Sequence, residues 1–117
     1  MGETGVSAVI PVFNDRAAPA ETGVSAVIPV FNDRAALETA IPLSLGALEA
    51  VAPGSFELII AEDGSTDGTP DLVREMAAAD PRVRLLHSDE RLGRGRALNR
   101  AFAEARGSIV CYYDADL

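Results

Sequence analysis

The sequence predicts an α/β fold, an open and mostly parallel sheet with helices on both faces. Three observations predict it. Short apolar runs at Val24–Val30, Phe56–Ala61, Val83–Leu86 and Ile109–Tyr113 alternate with segments whose apolar residues recur every three or four positions. The links between them are short, which implies right-handed crossovers between parallel strands. Phe56–Ala61 is almost continuously apolar, as expected of a parallel strand covered on both faces.

The first element needs a choice, because Glu3–Ala18 recurs letter for letter as Glu21–Ala36. Only one copy can be the first strand of the sheet. The second copy runs on into Leu37, Ile41, Leu45, Leu48 and Val51, one face of a helix, whereas the first runs into Pro19 and Ala20. Residues 1–20 are therefore expected to be a duplicated extension, either disordered or paired to a free sheet edge, where self-association through the duplicated strand could follow. Residues 21–117 form the domain proper.

The remaining elements follow in order. The first helix is expected over Ala35–Val51, kinked at Pro42, whose missing N–H interrupts the ladder; Pro53 and Gly54 end it. The second helix has Thr69 as its expected N-cap, Pro70 at its first position and Asp71 in its first turn, and stops at Asp80-Pro81. The third is expected from Gly95 to Arg106, with Gly107 as its C-terminal cap. The fourth strand ends at Asp114.

Composition narrows the function classes. A chain of 117 residues, 48% hydrophobic and 24% charged, has the balance of one soluble globular domain. The formal net charge of -8 repels nucleic acid and anionic surfaces, so no nucleic-acid partner is expected. Every basic residue except the one histidine is Arg. A phosphate ligand would need a divalent cation together with a few well-placed arginines. The single cysteine, Cys111, lies in an apolar run, reads as a small buried hydrophobe and makes a reducing, cytoplasmic setting the default. No apolar stretch of about 18 residues and no charged-then-apolar leader is present, so neither a membrane span nor a signal peptide is expected.

Ligands in such sheets sit at the carboxyl ends of the strands. Four segments lie there: Pro29–Asp33, Glu62–Gly68, Asp89–Arg96 and Asp114–Asp116. In Asp114-Ala115-Asp116 the two carboxylates are two residues apart, so in an extended segment they point the same way and can share one divalent ion. Hard oxygen donors select Mg²⁺ or Mn²⁺; a pair of solvated surface acids is the plainer reading. Glu62–Thr69 reads equally as a turn held by Asp63, Ser65 and Asp67 or as a place where Asp63 accepts an N–H of a nucleobase. Leu92–Arg96 sets Gly93 and Gly95 around Arg94 before a helix, a pattern that fits an anion but also a plain surface turn. His87 reads as a solvated or capping histidine, since nothing beside it in sequence supplies metal-ligand spacing.

Taken together and in this order, strand-VIPVFND, strand-EDGSTDGT, GRGRALNRAFAEARG and strand-DADL resemble the amino-terminal half of family 2 glycosyltransferases, including the polyprenyl-phosphate hexose synthases such as dolichol-phosphate mannose synthase. The resemblance spans residues 24–117. It implies a Rossmann-like glycosyltransferase A-type fold, truncated after its fourth strand. By position it places nucleotide contacts on Pro29, Phe31 and Asp33, on Ala61 and Asp63, and on Arg94 and Arg96. The metal and diphosphate motif falls on Asp114, Ala115 and Asp116. The family often has Tyr for Phe31, Glu for Asp33 and Asp for Glu62; each swap keeps the character.

The reaction implied is inverting transfer of a sugar from a nucleoside diphosphate donor of UDP or GDP type, with Mg²⁺ or Mn²⁺ stabilising the departing diphosphate. A polyprenyl phosphate is among the acceptors the resemblance suggests. The general base, the acceptor pocket and any segment docking the protein on the cytoplasmic face of a membrane are expected after Leu117. Two other classes stay open on the residues: a non-catalytic nucleotide-binding or assembly module, and a sugar-nucleotide nucleotidyltransferase. The latter would want a glycine-rich basic loop where this chain has Phe31-Asn32-Asp33.

Overall fold

The computed structural model describes Val6–Pro11 and residues 22–116. In chain order the elements are β1 (Val6–Pro11), β2 (Val24–Val30), α1 (Arg34–Val51), β3 (Phe56–Glu62), α2 (Thr69–Ala79), β4 (Val83–Leu86), α3 (Arg94–Glu104) and β5 (Ile109–Tyr113). They form one sheet in the order β1-β5-β2-β3-β4. The strands β5, β2, β3 and β4 are mutually parallel, as the sequence predicts.

The second copy of the repeat is the central strand. β2 pairs with β3 from Val24↔Phe56 to Val30↔Glu62 and with β5 from Val24↔Ile109 to Val27↔Tyr112. The first copy contributes β1, which runs antiparallel along the outer side of β5. Of the extension expected to be disordered or edge-paired, Val6–Pro11 is thus edge-paired; residues 1–5 and 12–20 lie outside the described residues.

Side-chain alternation along the strands builds two cores. Ala26, Ile28, Leu58, Ile60 and Val83 face one side, where Leu37, Ile41 and Leu48 of α1 and Leu72 and Val73 of α2 cover them. Val27, Ile59, Ala61 and Val110 face the other side, under Ala97, Leu98 and Ala101 of α3. The fully buried Val27, Ile28, Leu58, Ile59 and Ile60 each contribute about 1.5–3 kcal/mol from lost water contact. Cys111 is half-buried on the first of these faces, and burial pushes its thiol pKa up, away from the thiolate form.

Three boundaries differ from expectation. The helix α1 starts one residue early, at Arg34, and contains Pro42. The N-cap of α2 is Gly68, in left-handed conformation at φ 86°, with Thr69 inside the helix and buried. Its hydroxyl and its amide both donate to Asp67 Oδ1, at 2.5 and 3.1 Å, so the polar capping role sits two residues ahead of the helix. The last departure is at α3, which ends at Glu104 with Ala105 extended.

A buried polar network explains that ending. Glu57 Oε2 accepts from the Ser25 hydroxyl and from the Arg106 amide, each at 2.6 Å, while Oε1 takes Arg84 Nη1 at 2.6 Å. The Gly107 amide donates to Ser25 Oγ at 2.8 Å. These amides are drawn to β2 and β3 instead of to helix carbonyls. A Cβ on Gly107 would stand 2.7 Å from Ser25 N, so its lack of a side chain serves close strand approach, not helix capping.

Candidate functional site

The chain passes from β2 outward to β3 and β4, then returns to place β5 on the far side of β2. Strand order therefore reverses between β2 and β5, and a crevice opens beyond their carboxyl ends. It is a cleft of about 330 Å³. From the end of β2 it is lined by Pro29, Val30, Phe31 and Asp33, and from the end of β3 by Asp63. Arg91, Arg94 and Ala97 close one wall and Asp114, Ala115 and Asp116 another.

Eight of the ten residues singled out in the sequence line this cleft; Ala61 and Arg96 do not. Ala61 is buried in β3, opposite Pro29 in register and packed toward α3. Arg96 is exposed on α3, away from the lining.

Loops after β2 and β3 are zipped together. The Asn32 amide donates to Ser65 Oγ at 2.9 Å, and Asn32 Oδ1 accepts from the Thr66 amide at 2.7 Å. Asn32 holds a positive φ of 49°, a conformation Asn tolerates better than most residues. The Arg34 amide donates to Asp67 Oδ2 at 3.0 Å, and Asp67 Oδ1 accepts the Thr69 amide at 3.1 Å. Ser65 and Asp67 are therefore turn residues, as their local pattern suggests, and they also fix the loop that carries Phe31 and Asp33.

Asp63 is different. Only 3% exposed, it reaches across to the loop before α3: Oδ1 accepts the Leu92 amide at 2.6 Å and Oδ2 the Gly93 amide at 3.1 Å. Gly64 makes that approach possible, since a Cβ there would stand 2.7 Å from Arg91 N and its φ is 76°. Each carboxylate oxygen has further lone-pair capacity, so Asp63 retains acceptors toward the cleft it lines.

Two residues that the sequence reading did not select support this loop. Glu62, 1% exposed, accepts the Ser65 amide through Oε2 and contacts His87 Nδ1 through Oε1 at 2.5 Å. His87 Nε2 contacts Asp89 Oδ1 at 2.7 Å. His87 is thus a brace between strand ends, not a solvated histidine, and hydrogen bonding to Glu62 first and Asp89 second raises its pKa above the usual value. The pairing follows from register, which the sequence does not carry: β3 and β4 are parallel with Ala61 opposite Leu86, so the next residues, Glu62 and His87, stand side by side.

Two arginines complete the wall. Arg91 lies over the Phe31 ring, its guanidinium carbon 3.9 Å from the centroid, and Arg94 Nη1 is 2.5 Å from Asp114 Oδ1. Asp33, Asp63, Asp114 and Asp116 against Arg91 and Arg94 leave the cleft lining two charges negative. Among the described residues no three His, Cys, Asp or Glu side chains gather into a metal cage. Asp114 and Asp116 both line the cleft, although Ala115-Asp116 form a turn and not the extended segment expected; carboxylate oxygens are the donor type that Mg²⁺ and Mn²⁺ use, so the residue types fit such an ion.

The family description "Glycosyl transferase family 2" matches residues 25–117, nearly all of the chain outside the duplicated extension. The chain belongs to this family. As a family 2 glycosyltransferase domain it is 45% identical over 113 residues to the glycosyltransferase AglD of Haloferax volcanii, covering 96% of this chain and 15% of AglD. It is 34% identical over 62 residues to a dolichyl-phosphate β-glucosyltransferase of Trichomonas vaginalis, covering 53% of this chain and 18% of that one.

Among solved structures it resembles a mannosyltransferase of Pyrobaculum calidifontis in complex with GDP-Man and Mn²⁺, with a TM-score of 0.69 and 32% identity over 87% of this chain and 30% of that one. It also resembles glucosyl-3-phosphoglycerate synthase of Mycobacterium tuberculosis in complex with Mn²⁺, UDP and glucosyl-3-phosphoglycerate, with a TM-score of 0.59 and 31% identity over 80% of this chain and 33% of that one. The fold is therefore the glycosyltransferase A-type. The chain spans a third or less of the length of these relatives. Among the described residues no helix is long and apolar enough to cross a membrane.

Proposed function

We infer that the domain binds a nucleoside diphosphate sugar together with Mg²⁺ or Mn²⁺, as the donor site of an inverting glycosyltransferase. The observation that carries this reading is the convergence of Phe31, Asp33, Asp63, Arg94, Asp114 and Asp116, from four separate segments, on one cleft at the switch point of the sheet. The relatives solved with GDP-Man and Mn²⁺ or with UDP and Mn²⁺ support it.

Phe31 and Asp63 would receive the base, Asp33 the ribose side of the nucleoside, and Arg94 the diphosphate. Asp114 and Asp116 would hold the ion. When bound, the cation supplies Lewis-acid stabilisation of the diphosphate as it leaves. The two-charge excess of carboxylates in the cleft lining would otherwise repel a diphosphate, because like charges a few ångströms apart are costly at intermediate dielectric. A polyprenyl phosphate is the acceptor that the dolichyl-phosphate relative supports; being already ionised it would need no general base, which a hydroxyl acceptor would.

Calorimetric titration with UDP and GDP, each with Mn²⁺ and with chelator, tests the reading. Diphosphate binding is expected to need the metal and to lose most of that dependence in Asp116→Asn, whereas uridine or guanosine binds with little regard to metal. Diphosphate binding unchanged by chelator would sink the metal assignment.

A further inference from the structure

We propose that Arg94 competes with the divalent cation for Asp114 and moves onto the diphosphate, so that the domain takes metal and nucleotide together instead of metal first. This rests on the donor-site reading above and adds an order of binding to it. Arg94 Nη1 is 2.5 Å from Asp114 Oδ1, and both side chains are about half exposed, at 49% and 46%, so the pair can open into solvent; the packing contact that moves with it is the guanidinium over the Tyr112 ring, a loose 6.0 Å from the centroid. Arg94 is the first residue of α3, directly after Gly93 at φ 98°, and it forms part of the cleft wall.

A guanidinium and a divalent ion held by the same carboxylate repel each other, so each weakens the hold of Asp114 on the other. With metal alone, Arg94 would either stay on Oδ1 beside the ion or give up its carboxylate partner, and either outcome would cost binding. A diphosphate removes that conflict. Its oxygens accept the guanidinium bidentately, and its negative charge lies between the two cations. Binding of metal and diphosphate is then positively coupled, and the coupling is equal in both directions by linkage. The same exchange keeps the cleft from gathering free metal despite its acidic lining.

The test is a set of calorimetric titrations of the 117-residue chain with MnCl₂ alone, and with UDP and GDP in the presence and absence of MnCl₂. Substituting Arg94→Gln is expected to tighten Mn²⁺ alone by about two- to fivefold, the equivalent of losing one exposed ion pair. The same substitution is expected to weaken the nucleoside diphosphate in the presence of Mn²⁺ by about tenfold or more, the equivalent of a charged hydrogen bond. Arg94→Lys, which keeps the charge but not the fork, should lie between on both axes. Opposite signs in the two titrations are the signature, and tightened Mn²⁺ binding itself demands a folded site. Mn²⁺ affinity unchanged or reduced in Arg94→Gln overturns the inference while wild-type diphosphate binding still stands. A wild-type chain that binds neither diphosphate with Mn²⁺ removes the donor-site reading itself.

Discussion

Asp63 has two tasks for one carboxylate: it staples the Leu92 and Gly93 amides to the end of β3, and it lines the cleft. Asp63→Ala should therefore lower stability by about 1–3 kcal/mol, the cost of leaving buried donors unpaired, and should also weaken UDP or GDP. Urea unfolding and calorimetry on the same variant separate the two effects. Lost stability with unchanged affinity would make Asp63 a staple only. Asp67→Ala, by contrast, removes the partner of the Arg34 and Thr69 amides and is expected to cost about 1 kcal/mol of stability with a smaller loss of nucleotide affinity.

His87 makes a prediction about pH. Its folded pKa is raised by Glu62 and then Asp89, so the stability it contributes is fully present below the unfolded value near 6.5 and is lost as pH rises through the folded value. Thermal melts of wild type and His87→Gln should differ most at about pH 6 and converge as the solution becomes alkaline. A gap that widens with rising pH would show that the brace does not need the imidazolium.

At the scale of elements, the two ends of the sheet are built differently. The carboxyl end is a set of interlocked loops around the cleft, while the amino end is tied by Glu57, which joins β2, β4 and the turn after α3. Glu57 is 5% exposed, and removing it leaves Arg84 with Glu104 as its remaining partner and strands the Arg106 amide. Glu57→Ala should cost about 3 kcal/mol, toward the low end for breaking a buried ion pair, with Glu57→Gln milder. Chemical denaturation checks the value, and a cost below about 1 kcal/mol would mean that water replaces the lost partner.

For the whole molecule, the notable feature is that two copies of one segment occupy unlike places in a single sheet. β2 has strands on both sides, and β1 only one. We expect deletion of residues 1–20 to leave a cooperative folded domain that still binds nucleotide, and to leave the outer edge of β5 unpaired and more prone to self-association. Circular dichroism and sedimentation measure the two outcomes. Loss of the unfolding transition on deletion would mean that the first copy is part of the core.

What the sequence by itself determined was the alternation of strands and helices, the central place of the second repeat copy, and the four loops that meet at one rim. These are legible because apolar periodicity and the Gly and Pro breaks are local, and because parallel strands with helical crossovers put all carboxyl ends on one side. Helix ends were read less well. Thr69 and Gly107 have the residue types of caps, but Thr69 is buried inside α2, and Gly107 is needed where its backbone meets Ser25. Only the tertiary structure decided that Glu62 and His87 brace one another, that Asp63 holds the Leu92 and Gly93 amides, and that Arg91 lies over Phe31 and Arg94 on Asp114. Each of these contacts joins residues from separate loops at atomic range. Such pairings depend on strand order and register, which no periodicity within a single segment can encode.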